Sequence, residues 1–267
     1  MSMEQISPER ADAAARMQEN LIAYFRLFAG LRGVTAADAD VFWFANAAPE
    51  PGNHVLRTHI PDDLAGQRID EILDEIGRHT DHMDWLIFPS CRPADLGRRL
   101  EARGMPGGPA GNWMLAELPL RPPELPVPPG FRFEQVRDAE TLAEWARVSA
   151  AGFGGDTQIF YDAYARHGFG PDASALHYIG YLDDEPATSS TLLLAGGIAG
   201  VYDISTPPHL RRRGLGSAIT FATAEEARAR GQRRVWAWAS QLGRPIYERL
   251  GFTAADFGLR EYRWRRR

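Results

Sequence analysis

Arg211-Arg-Arg-Gly-Leu-Gly216 is the stretch on which the fold turns. A β-rich run, Ile198–Thr206, precedes it, and an apolar-periodic stretch from about Gly214 to Arg230 follows, with Gly231 placed as its C-terminal stop. The order is therefore strand, loop, helix. Such a junction points several unpaired backbone N–H groups at one spot. Glycine lets an anion approach that backbone closely, and the helix dipole adds about half a positive charge there. Three adjacent arginines strengthen the case for a phosphate. The stretch is not a dinucleotide fingerprint, because Ile219 holds the third glycine position of G-x-G-x-x-G, and no Gly-Lys-Ser/Thr follows to make a P-loop. On its own it reads equally well as a solvated basic helix start.

Working outward, Ala187–Ala195 and Ile198–Thr206 are β-rich runs separated by Gly196-Gly197, a hairpin signal. Upstream, Phe131–Val136 and Leu176–Leu182 read as strands, with helices at Ala139–Ala151 and Gln158–His167. Downstream, Arg234–Ala239 is a buried-strand pattern, and a short helix, Arg244–Leu250, carries Pro245 in its first turn and stops at Gly251. An antiparallel meander followed by strand–helix–strand–helix–strand is a mixed-sheet α/β plan. The meander is preceded by Pro119–Gly130, in which six of the 19 prolines fall within twelve residues. That density favours a stiff strap. The reading therefore divides the chain into residues 1–118, a Pro-rich linker at 119–130, and 131–267.

Ser240-Gln-Leu-Gly-Arg-Pro-Ile-Tyr-Glu-Arg-Leu-Gly-Phe252 follows the Arg234–Ala239 strand. With Arg211–Gly216 it resembles the GNAT acetyltransferase superfamily, over roughly residues 127–267 and in element order as well as motif. The first stretch is similar to the family's Q/R-x-x-G-x-G/A signature for the acetyl-CoA pyrophosphate. The second is similar to its late segment, in which a tyrosine stands four residues before Gly-Phe. The resemblance implies direct acetyl transfer from acetyl-CoA, a co-substrate, to an amine. It implies that Arg211, Arg212, Arg213, Gly214, Leu215, Gly216 and Ser217 wrap the pyrophosphate, mostly through backbone N–H groups. Ile204, Ser205 and Thr206 would follow the pantetheine arm, with the Ile204 N–H polarising the thioester carbonyl. Tyr247 takes the place of the general acid for the departing thiolate, a role a phenol fills while neutral at pH 7. Two departures stand out. Ser240 replaces the asparagine common at the head of the last segment, where its hydroxyl would still hydrogen-bond the cofactor arm or a water. Gly200 stands where some relatives carry a strand glutamate, which leaves the base open among Asp203, a water chain and an acceptor-loop residue. Strict alternation sends Asp203 to the face opposite Ile204 and Thr206, unless a bulge intervenes.

For the acceptor, the aromatic, Gly-rich stretch Phe153–Phe169 offers Asp156 to hold an ammonium and Phe160, Tyr161, Tyr164 and His167 to line a pocket. Ordinary helix packing explains these residues at least as well. His79-Thr-Asp-His82 has a spacing that suits metal on a helix, but no third ligand is in view, so no metal is expected. Cys91, the sole cysteine, is assigned to packing.

All 30 basic residues are arginine, so no lysine can form a Schiff base or bind a phosphate in the Walker manner. Residues 1–125 carry a net −7 and residues 126–267 a net +2, which places an anionic ligand in the second half and argues against nucleic acid. Arg26 interrupts the most apolar run, Leu21–Leu31, and residues 1–20 lack a signal-peptide core, so a cytoplasmic protein without membrane attachment is expected.

Residues 55–118 read as a worn repeat of the second half, offset by 146 to 147 residues. Ala65-Gly-Gln-Arg-Ile-Asp70 falls where Arg211–Gly216 stands, and Leu100 where Tyr247 stands. This resembles a tandem-GNAT arrangement: two modules, each a central mixed β-sheet flanked by helices, the first with a degenerate site. The expected activity is acetyl-CoA-dependent N-acetylation of a small-molecule primary amine by a monomer or homodimer. A peptide or protein N-terminal acetyltransferase and a non-catalytic acetyl-CoA sensor are the alternatives.

Overall fold

Two β-sheets organise the described residues. The computed structural model describes residues 6–47, 50–170 and 173–266. In chain order it contains α1 (Pro8–Arg26), β1 (Val34–Asp38), β2 (Val41–Asn46), β3 (His54–Thr58), α2 (Ala65–Ile76), β4 (His82–Ile87), α3 (Leu96–Glu101), β5 (Gly107–Pro109) and β6 (Trp113–Glu117). After the strap come β7 (Phe131–Gln135), α4 (Ala139–Phe153), α5 (Gln158–His167), β8 (Ala175–Leu182), β9 (Glu185–Ala195) and β10 (Ile198–Ser205). The chain closes with α6 (Leu215–Ala229), β11 (Arg234–Trp238), α7 (Arg244–Leu250), β12 (Thr253–Ala254) and β13 (Arg260–Arg265).

The chain forms two compact units, Met1–Gly111 with Asp256–Arg267, and Asn112–Ala255. In the second, the sheet order is β12-β6-β11-β10-β9-β8-β7. Strands β7 to β10 form the expected antiparallel meander. Helix α4 starts on a capping box, in which Asp138 accepts the Thr141 N–H and Thr141 answers to the cap backbone. Helix α6 and α7 cover one face, where Leu192, Val201, Val235, Ala224, Leu250 and Phe252 form a continuous core. On the other face Trp145 of α4 donates its indole N–H to Ser190 O at 3.0 Å. Trp113, from β6, stacks at 5.2 Å on both Trp236 and Trp238 of β11.

In the first unit the order is β1-β2-β3-β4-β13-β5. The sequence β3–α2–β4–α3–β5 repeats β10–α6–β11–α7–β12, including a short parallel pairing of β3 with β4. The worn repeat is real. Its limits differ from the expected ones. A division at 118 and 131 puts β6 in the first module and β13 in the second, but each pairs in the other sheet: β6 lies between β11 and β12, and β13 between β4 and β5. Tyr262 secures β13, because a side chain on Gly97 or Gly107 would come within 2.2 Å of its ring or hydroxyl. The division therefore falls at residue 111 and again at 255, not at 118. Residues 77–81 lie beyond α2 and His82 opens β4, so His79 and His82 do not share a helix. His79 stacks on Trp43 and His82 bonds Asp81 at 2.6 Å. Cys91 is buried, and burial pushes its thiol up.

Two histidines are buried neutral. Desolvation lowers His54 to about 4, and desolvation with the charge of His167 lowers His177 to about 3. The unfolded chain binds protons at both below pH 6.5 and the native state does not, so stability is full above 6.5 and declines toward pH 4. Each histidine contributes a loss of at most about 1.4 kcal/mol per pH unit. Urea midpoints should fall between pH 7 and pH 5, and a constant midpoint would show that these rings are not held neutral.

Candidate functional site

β10 and β11 pair only at Ala199↔Val235 and Gly200↔Trp236 and then part. A cleft of about 660 Å³ takes its walls from the end of β10, the loop to α6, and α7. Of the residues expected to hold the co-substrate, Ile204, Ser205, Thr206, Arg211, Arg212, Gly214, Leu215, Gly216, Ser217 and Ser240 line it, and Tyr247 does too. Arg213 is exposed and outside this lining.

The loop earns its geometry from Gly214. That residue is the N-cap of α6 at φ +82°, a left-handed conformation that favours glycine, and no side chain caps the helix. The first intrahelical bond runs from Ala218 N to Gly214 O at 2.9 Å, so the N–H groups of Leu215, Gly216 and Ser217 have no acceptor within the helix. The arginines divide by role. Arg211 is tied back, donating to Thr206 O at 3.0 Å and Gly152 O at 2.7 Å, so its guanidinium shapes the loop rather than meeting a phosphate. Arg212, Arg213 and Arg249 have no side-chain partner among the described residues. An uncapped helix start with partnerless guanidiniums beside it fits a pyrophosphate.

Two of the expected residues also make side-chain bonds within the protein. Ser205 turns its hydroxyl to Val148 O and Ser149 O, leaving its backbone edge for the cleft. Ser240 uses its oxygen to accept the Gly243 N–H at 3.0 Å, capping the turn into α7.

Tyr247 is 7% exposed, with its ring edge-on to Phe252 at 5.2 Å and flush against Gly243. Its hydroxyl has no hydrogen-bond partner among the described residues. Burial, and then the charge of Asp203, raise its pKa well above the ordinary phenol value, so it is protonated at pH 7. Asp203 sits at a bulge: β10 advances three residues from Tyr202 to Ser205 while β9 advances two, and Asp203 adopts φ +53°. The extra residue turns the carboxylate to α5, where it accepts the Tyr164 hydroxyl at 2.6 Å. Tyr164 is fixed in turn, stacked 3.9 Å from His177 and edge-on to Trp145 at 5.2 Å.

The acceptor residues fare differently. Asp156 accepts the Gln158 N–H at 2.8 Å at the start of α5, and Phe160 is buried against Tyr164. Neither they nor Tyr161 line the cleft. Leu125, Phe153, Leu242 and Arg249 line it without having been singled out. Arg249 stands two residues after Tyr247, and its cation within the Ser240–Phe252 segment is the available signal.

In the first unit the matching position is filled from within. Arg103 makes a two-pronged ion pair with Asp70 at 2.6 and 3.0 Å and donates to Gly66 O at 2.8 Å in the first turn of α2. Leu100, fully buried, replaces the tyrosine.

Residues 139–255 match the family model of the acetyltransferase (GNAT) domain. This stretch is a GNAT acetyltransferase domain. The whole chain shares its fold with a GCN5-related N-acetyltransferase from Kribbella flavida at 17% identity, covering 98% of this chain and 96% of that one with a TM-score of 0.63. It is also similar to a tandem GNAT protein from the clavulanic acid biosynthesis pathway, at 13% identity, 97% and 95% coverage and a TM-score of 0.61. A GCN5-related N-acetyltransferase from Sphaerobacter thermophilus gives 14%, 98% and 93%, and 0.59. No curated protein matches the sequence. The fold is thus a tandem of GNAT-like modules, and the chemistry of the GNAT domain is acetyl transfer from acetyl-CoA. No described helix is long and apolar enough to cross a membrane.

Proposed function

We propose that this GNAT protein transfers the acetyl group of acetyl-CoA to the primary amine of a small molecule, in a ternary complex with no acyl-enzyme. The observation that carries the reading is the sharing of one cleft by the Tyr247 hydroxyl, the uncapped start of α6 and the parted strands. The N–H groups of Leu215 to Ser217 and the free arginines take the pyrophosphate. The pantetheine arm lies along Ile204 to Thr206 and brings the thioester to Tyr247. The amine nitrogen attacks the carbonyl carbon, the C–S bond breaks, and sulfur takes the Tyr247 proton. Asp203, held by Tyr164 outside the cleft lining, takes the proton that nitrogen loses by way of a water chain, so the transfers balance. Burial weakens Tyr247 as an acid, and it destabilises a thiolate in the same cleft as well, so the gap in proton affinity between them widens less than the shift of the phenol alone. Alignment of amine and thioester supplies much of the acceleration.

Isothermal titration with acetyl-CoA should give one site per chain, because Arg103 occupies the corresponding place in the first unit. Thiol release should then respond to amines in a panel that includes peptides with free N-termini. Two sites would mean that the first unit binds as well. No binding would end the reading, and a response confined to the peptides would replace the small-molecule acceptor.

A further inference from the structure

The Pro-rich strap is part of the cleft. One end is tied to α7, where the Arg121 N–H donates to Leu250 O at 3.0 Å. The other is tied to the β8–β9 turn, where the Asp183 N–H donates to Gly130 O at 3.3 Å. Between these anchors it passes the start of α6: Leu125 Cβ lies 3.6 Å from the point a Cβ on Gly214 would occupy, and Pro126 O lies 3.8 Å from it. Leu125 lines the cleft yet is 59% exposed. An apolar side chain this exposed, on a backbone stiffened by six prolines, is already in place to cover something and loses little entropy in doing so.

What it covers follows from direction along the loop. Gly216 faces Ile246 and Thr206, on the side of Tyr247 and the thioester. Gly214 faces the strap. With the pyrophosphate on the N–H groups between, the strap side receives the part of the donor beyond the phosphates. That part is the nucleoside, whose flat base offers an apolar face, whereas the pantetheine arm carries two amides. Arg212 and Arg249 line the same cleft as cations for phosphate. We infer that Leu125 packs on the nucleotide half of coenzyme A, making the strap a determinant of donor selection. This rests on the acetyl-CoA reading.

The test is titration of the full chain and of Leu125→Ala with coenzyme A and with adenosine 3′,5′-bisphosphate, the latter read by displacement. The substitution touches an exposed side chain, so the fold should be unchanged, which thermal unfolding checks. Both ligands should bind Leu125→Ala about tenfold more weakly than wild type, in keeping with the loss of a partly buried leucine contact. Wild-type affinity for coenzyme A in the variant overturns the inference. So does a loss for coenzyme A with none for the bisphosphate, which would move Leu125 to the pantetheine arm, or a bisphosphate that fails to compete with coenzyme A on the wild-type chain. Absence of coenzyme A binding by the wild type is a separate result, and it removes the acetyl-CoA reading itself.

Discussion

Tyr247→Phe is expected to lower kcat by about 10²–10⁴ while leaving acetyl-CoA affinity near that of the wild type. The substitution deletes one oxygen. The ring keeps its contacts with Phe252 and Gly243, and α7 keeps its backbone bonds, so neither the cleft nor the phosphate loop changes shape. What disappears is the proton for sulfur. The hydroxyl makes no other hydrogen bond among the described residues, so no structural role confounds the result. Thiol-release kinetics alongside calorimetric affinity separate the two quantities, and an unchanged kcat would remove Tyr247 from the chemistry.

Gly214→Glu should weaken coenzyme A by at least about 100-fold. Two effects combine. At φ +82° any side chain strains the backbone, and the Cβ would abut Leu125. The larger effect is electrostatic: a carboxylate at the start of α6 supplies the anion that its N–H groups otherwise take from the ligand. Gly214→Ala separates the two, because it carries the backbone strain without the charge and should lose far less affinity. A Gly214→Glu protein that binds as the wild type does would place the phosphates somewhere other than this loop.

The site was legible to different depths. Arg211–Gly216 and Ser240–Phe252 declared a strand–loop–helix junction and a tyrosine beside it, because backbone geometry there is written in glycines and in helix period. The individual side chains were less readable. Arg211 and Ser240 look like ligands in a string of letters, yet Arg211 donates to nearby backbone carbonyls and Ser240 accepts a nearby backbone N–H. Asp203 could be placed only by knowing of the bulge, which leaves no mark in a period-two pattern. Proline density identified the strap as stiff and said nothing of where it lies. The repeat was readable from its offset, but the pairing partners of β6 and β13 were not, since a strand's pattern specifies a buried face and not the sheet that buries it.

That exchange of last strands bears on how the protein is made. β13 fills the gap between β4 and β5, and it follows every strand of the second sheet in the sequence. During synthesis the second sheet has all its strands once Ala254 is free of the ribosome, while the first, begun earlier, still waits with β5 detached. The module translated first is thus the last to close. A ribosome that stalls after residue 255 leaves the second sheet whole and an open strand edge in the first, the kind of edge that pairs with other chains.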